Sequence, residues 1–137
     1  MDRKLLRIID ANYNRYKEAL RVTEDVFRFL WIDKKLTRTT RSLRHSLTEI
    51  IKNKSLLKEM LGQRDSKKDI GKRTDKLELQ RKNIDDIVYA NLQRAKESVR
   101  VLEEIFKITD RKAVYKLKQI RYNIYSLEKD VNRRNKK

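Results

Sequence analysis

At 137 residues the chain is long enough to bury one core and too short for two ordinary domains. It has no proline and only two glycines, which excludes a turn-rich sheet protein; it has no cysteine, which excludes disulfides, a thiolate metal site and a cysteine nucleophile; and a single His45 cannot build a histidine cluster. A net charge of +17 calls for an anionic partner, either nucleic acid, an anionic membrane surface or a phosphorylated small molecule, although the tail RRNKK at 133–137 and many helix-surface lysines read as solvated charge.

The first segment, about 3–32, carries apolar residues at helical spacing. Its start, MDRKLLRIIDANY, lacks the apolar run of a signal peptide, and no stretch of the sequence suits a membrane span, so a soluble cytoplasmic protein is expected. At 100° per residue the inward stripe of this helix is set by Ile8, Ala19, Val26 and Leu30. Asn12 falls within that stripe and Arg15 along its edge, with Glu18, Arg21 and Asp25 as a polar flank. The connection WIDKKLT places Asp33 before the next helix, where it can cap free amides. The second segment, about 35–60, is also helical in pattern, and Arg44 shares the inward direction with Leu43, Leu47 and Ile51.

From Gly62 to about Lys76 the periodicity stops. GQRDSKKDIGKRTDK is a charged loop, longer than most connections, and loops of that length tend to be functional or disordered. Arg64, Lys67, Lys68, Lys72 and Arg73 offer cations, Asp65 and Asp69 offer hard oxygens for Mg²⁺, and Gly71 allows close backbone approach.

The third segment, about 76–108, repeats the first. Residues 86–108, DIVYANLQRAKESVRVLEEIFKI, align with residues 7–29, RIIDANYNRYKEALRVTEDVFRF, at an offset of 79, and ten of the twenty-three positions are identical, among them Asn12/Asn91, Arg15/Arg94, Glu18/Glu97, Arg21/Arg100 and Glu24/Glu103. A duplication kept only for its core would let such polar positions drift, so both copies read as serving a site. After KITDRKA, in which Asp110 takes the capping place of Asp33, the fourth segment at about 111–132 corresponds to the second, with Arg121 inward beside Leu117, Ile120 and Ile124. Glu128 faces inward too.

The expected architecture is therefore all-α, a pseudo-twofold four-helix bundle of two duplicated hairpins in one domain: repeat 1 at about 3–60, a functional loop at about 62–76 and repeat 2 at about 77–132. Inward Asn and Arg have two readings. One is a closed network of Asn, Arg and Glu that sets helix register. The other is an anion pocket, favoured by the excess of Arg over inward carboxylates and by the match of guanidinium forks to phosphate oxygens. Phosphate loops, dinucleotide-binding glycine patterns and zinc-protease or serine-hydrolase motifs are all missing. The spread of basic residues over every helix, without a helix-turn-helix or basic-plus-heptad pattern, makes a nucleic-acid binder the weaker rival.

Five blocks in order, RIIDANYNRYKEALRVTEDVFRF, LRHSL at 43–47, RDSKKDIG at 64–71, ANLQRAKESVRVLEEIFK at 90–107 and IRYNIYSLE at 120–128, carry a resemblance. The chain resembles the small helical domain found free-standing or at the N-terminus of some bacterial thiamine-phosphate synthases, a family associated with monofunctional hydroxymethylpyrimidine phosphate kinase activity. The resemblance implies phosphoryl transfer from ATP, with Mg²⁺, to a phosphorylated pyrimidine, giving its diphosphate. A noncatalytic phosphate-ligand or regulatory module on a synthase is the alternative. The protein partners this reading admits are a separate thiamine-phosphate synthase and a second copy in a homodimer. On this reading Asn12, Arg15, Arg21, Arg44, Arg64, Asn91, Arg94, Arg100 and Arg121 bind substrate and phosphate, with Arg15, Arg44, Arg94 and Arg121 as the principal phosphate ligands. Asp65 or Asp69 contacts the metal, and Glu18 or Glu97 orients the substrate hydroxyl. Metal and nucleotide phosphates are expected where the loop folds over the bundle.

Overall fold

The computed structural model of the chain describes residues 2–51, 54–72 and 79–136. Among these the secondary structure is helical: α1 (Arg3–Asp25), α2 (Lys34–Ile50), α3 (Lys54–Gly62), α4 (Ile84–Thr109) and α5 (Arg111–Asn135), with a π turn at Val26–Leu30 closing α1. The chain is thus an all-α bundle in which α1 packs on α4 and α2, and α5 packs on the same two helices.

Two expected boundaries change. The second segment is not one helix: α2 ends at Ile50, and α3 is a separate helix against α1, anchored by buried Met60 and by Leu56 and Leu57. The third segment starts later than expected, at Ile84. Asn83 accepts a hydrogen bond from the Asp86 amide while the Asp86 carboxylate accepts one from the Lys82 amide, and acidic Asp85 and Asp86 suit the positive end of the helix. Arg73 and the expected boundary at 76–77 lie outside the described residues. Of the two capping aspartates, Asp33 accepts from the Leu36 amide, whereas the Asp110 side chain makes no capping bond.

The core stripe of α1 runs through Ile9, Tyr16, Leu20 and Phe27 rather than through Ile8 and Leu30, both of which are exposed. A π turn uses more residues per turn than an α-helix, so at Val26–Leu30 it rotates Leu30 away from the direction that a uniform 100° step gives. Burial of Leu43, Leu47 and Ile51 from the α2 side, and of Leu117, Ile120, Ile124 and Leu127 from α5, completes one continuous core. The Tyr16 hydroxyl donates to the Leu43 carbonyl inside it, and burial raises the pKa of that phenol well above its ordinary value.

Matched residues take matched places. Asn12 and Asn91, both buried, donate from Nδ2 to the carbonyl four residues earlier, Ile8 at 2.9 Å and Ile87 at 2.8 Å. Glu24 and Glu103 are both buried, and each draws in arginines from its own helix and from the next one. Among the described residues no helix is long and apolar enough to cross a membrane.

Candidate functional site

One edge of α1 stays out of the core. Lys4, Arg7, Ile8, Ala11, Asn12, Arg15 and Glu18 recur at three- and four-residue steps, so they share a face. The loop after α3 folds back along that face and encloses a cleft of about 690 Å³, adding Arg64, Asp65, Ser66 and Asp69.

The fastening is an ion pair across 54 residues of sequence. Arg64 donates from Nε to Oδ2 of Asp10 at 2.9 Å and from a terminal nitrogen to Oδ1 at 2.7 Å. Asp10 is buried and also accepts from Asn14 Nδ2, so its carboxylate is held from within α1 as well as by the loop. The hydrogen bonds that Arg64 donates to Asp10 raise its pKa above the ordinary value, and the nearby Glu18 carboxylate adds to the shift. A bidentate guanidinium–carboxylate pair fixes orientation as well as distance.

Within the loop, Asp65 Oδ1 accepts from the Lys68 amide at 3.0 Å and Asp69 Oδ1 accepts from the Gly71 amide at 2.8 Å. These turns shape the loop backbone and present both carboxylates at the cleft. No group of three or more His, Cys, Asp or Glu side chains among the described residues could cage a metal alone. Lys4, Arg7 and Arg15 line the cleft and have no carboxylate partner among the described residues. The cleft therefore offers uncommitted cations for phosphate and two carboxylates for a metal.

Of the residues expected from sequence, Asn12, Arg15, Glu18, Arg64, Asp65 and Asp69 come together here. Asn91, Arg94 and Glu97 occupy the matching edge of α4 and do not line the cleft, and Arg94 and Glu97 are exposed. The remaining arginines lie in two closed networks. Glu24 meets Arg44 at 3.3 Å, Arg41 at 3.5 Å and Arg21 at 3.7 Å. Glu103 accepts from Arg121 at 2.6 and 3.2 Å, Arg121 also donates to the Tyr125 hydroxyl at 2.9 Å, and Arg100 stands 3.9 Å away. Glu128 pairs with Lys96 at 3.0 Å and accepts from Gln93. For Arg44 and Arg121 the closed-network arrangement is the one observed.

Sequence reasoning missed Asp10, Lys4 and Arg7. Asp10 stands where the second copy has Tyr89, and a carboxylate between Ile9 and Ala11 on a buried face was the available signal.

The chain is 34% identical over 125 residues to a thiamine-phosphate synthase of Synechocystis sp. (strain ATCC 27184 / PCC 6803 / Kazusa), covering 90% of this chain and 35% of that protein. It is 31% identical over 130 residues to a thiamine-phosphate synthase of Rhodopirellula baltica, covering 94% of this chain and 34% of that protein. It is 36% identical over 132 residues to one from Nostoc sp. (strain PCC 7120 / SAG 25.82 / UTEX 2576), covering 91% and 34%. The chain spans about a third of the length of the curated relatives it matches. No solved structure matches. The model of the ThiD2 family matches residues 7–130, nearly the whole of the sequence, and the chain belongs to that family.

Proposed function

We propose that this chain acts in thiamine biosynthesis as a phosphotransferase, moving the terminal phosphoryl group of ATP to hydroxymethylpyrimidine phosphate. The observation that carries the reading is the loop fastened by Arg64 to Asp10, which sets Asp65 and Asp69 opposite the free cations of α1. The likeness to thiamine-phosphate synthases supports the pathway.

In the reaction an oxygen of the pyrimidine's phosphate attacks the terminal phosphorus, the bond to the bridging oxygen breaks, and ADP leaves. The attacking oxygen is already ionised, so no general base is required, and an orienting role for Glu18 or Glu97 on a substrate hydroxyl has no place in this step. Glu18 instead supports Arg64 electrostatically. Lys4, Arg7 and Arg15 hold and neutralise the converging phosphates, which is the main demand of phosphoryl transfer. Asp65 and Asp69 would hold Mg²⁺, which when bound supplies charge neutralisation between phosphate oxygens. Arg64 is committed to Asp10 and acts as the latch of the loop.

The test is turnover by the purified chain with ATP, Mg²⁺ and the pyrimidine monophosphate. ADP and the diphosphate should appear in equal amounts. Tight binding of the monophosphate with neither product would instead establish a noncatalytic module, the form in which the chain would serve a separate synthase.

A further inference from the structure

The two hairpins differ in one place that the catalytic reading does not use. Where α4 turns into α5 there is a groove of about 540 Å³ that shares no residue with the loop-covered cleft. Five cations line it: Arg100, Lys107, Arg111, Lys118 and Arg121. At the offsets of 79 before the turn and 77 after it, all five have basic counterparts in the first hairpin: Arg21, Arg28, Lys34, Arg41 and Arg44. Glu103 stands at its inner wall as Glu24 does in the first copy.

The charges in the groove do not cancel. Arg100 and Arg121 are engaged by Glu103, and Arg100 and Lys107 by Glu104 at 3.4 and 2.7 Å. Arg111 and Lys118 have no carboxylate among the described residues; Lys118 lies 5.8 Å from the Tyr122 ring. Two uncompensated cations at one groove match the charge of a phosphate monoester dianion.

The remaining two lining residues are what set the copies apart. Val114 stands where the first hairpin has Thr37, and Tyr115 where it has Arg38. Val114 and Tyr115 give this groove an apolar wall that Thr37 and Arg38 do not give the first hairpin, and Tyr115 is 79% exposed. An exposed aromatic ring beside unpaired cations suits a flat ring that carries an anionic group.

We infer that the groove between α4 and α5 is a second ligand site, for a small aromatic phosphate ester, with Arg111 and Lys118 on the phosphate and Tyr115 and Val114 against the ring. The inference stands apart from catalysis at the cleft, since binding here would persist in a chain with no kinase activity.

Phenyl phosphate is the probe, with inorganic phosphate and phenol as its two halves. Titrations of the full chain are followed at the Val114 methyl groups by NMR and as affinities by calorimetry. Phenyl phosphate should shift the Val114 signals and bind about threefold to tenfold more tightly than phosphate, the increment of one aromatic contact. The Val114→Thr/Tyr115→Arg double variant, which restores the lining of the first hairpin at two exposed or half-buried positions, should erase that preference, and Arg111→Gln should weaken both phosphate probes. Circular dichroism of the variants should match the parent. Still Val114 signals under phenyl phosphate, a preference that survives the double variant, or phenol binding as well as phenyl phosphate would overturn the assignment.

Discussion

The edges of α1 and α4 carry the same Asn, Arg, Lys and Glu in the same order, yet among the described residues the loop-covered cleft is lined by the α1 set and not by Asn91, Arg94 and Glu97. The difference traces to one pair of positions. Asp10 on α1 is buried and grips Arg64, while its counterpart Tyr89 on α4 is 66% exposed and makes no comparable ion pair among the described residues. Both copies offer the shared polar residues, and Asp10 is the carboxylate that holds the loop on the first.

The largest expected effect comes from releasing the latch. Asp10→Ala leaves Arg64 without its partner and lets the loop leave α1, so turnover should fall about a hundredfold or more, as misplacement of catalytic groups by an ångström already costs that much. Hydrogen exchange at Lys68 and Gly71 amides should speed up in the same variant. Tyr89→Ala should leave both measurements near the parent's.

Next in size is a stability effect that separates the two buried networks. Arg121→Ala leaves buried Glu103 with Arg100 at 3.9 Å as its remaining cation among the described residues, and denaturant unfolding should show a loss of about 3 kcal/mol or more. Arg44→Ala should cost less, about 1–2 kcal/mol, because Arg41 and Arg21 remain within 3.7 Å of Glu24. Equal losses would mean that the residual pairs do not compensate.

The legibility of these features in sequence was uneven for physical reasons. The all-α architecture, the break in periodicity after Gly62 and the burial of Asn12 follow from helical periodicity, which is a local property. The π turn at Val26–Leu30 leaves no mark in a 100° projection, which points Leu30 inward where the structure exposes it. The Arg64–Asp10 pair joins residues 54 apart through a loop without periodicity, and nothing local announces it. Helical projection shows a direction and not a partner, so it does not reveal that Arg44 pairs with Glu24 and Arg121 with Glu103.

A smaller comparison concerns matched cations. Arg15→Ala should lower kcat/KM about tenfold to a hundredfold, the worth of one charge-assisted contact to phosphate, whereas Arg94→Ala on the unlatched edge should change it by less than about twofold. Similar losses at both would move the site to the junction of α1 and α4.

The smallest effect is a titration. The hydrogen bond from Lys107 at 2.7 Å lowers the Glu104 pKa, with Arg100 adding to the shift, so the pair's contribution is complete above the ordinary carboxylate range and fades as pH falls through the lowered value. Lys107→Ala should return the Glu104 titration, followed by carbon NMR, toward the ordinary range.

The most direct test of the latch is a charge reversal across it. Asp10→Arg and Arg64→Asp should each abolish most activity by placing like charges together, and the double variant, with the pair restored in the opposite sense, should recover a substantial part, giving a coupling of at least about 1 kcal/mol in ΔΔG‡. A double variant no more active than the product of its two single variants predicts would contradict the account, because the pair would then not be what holds the loop in its working position.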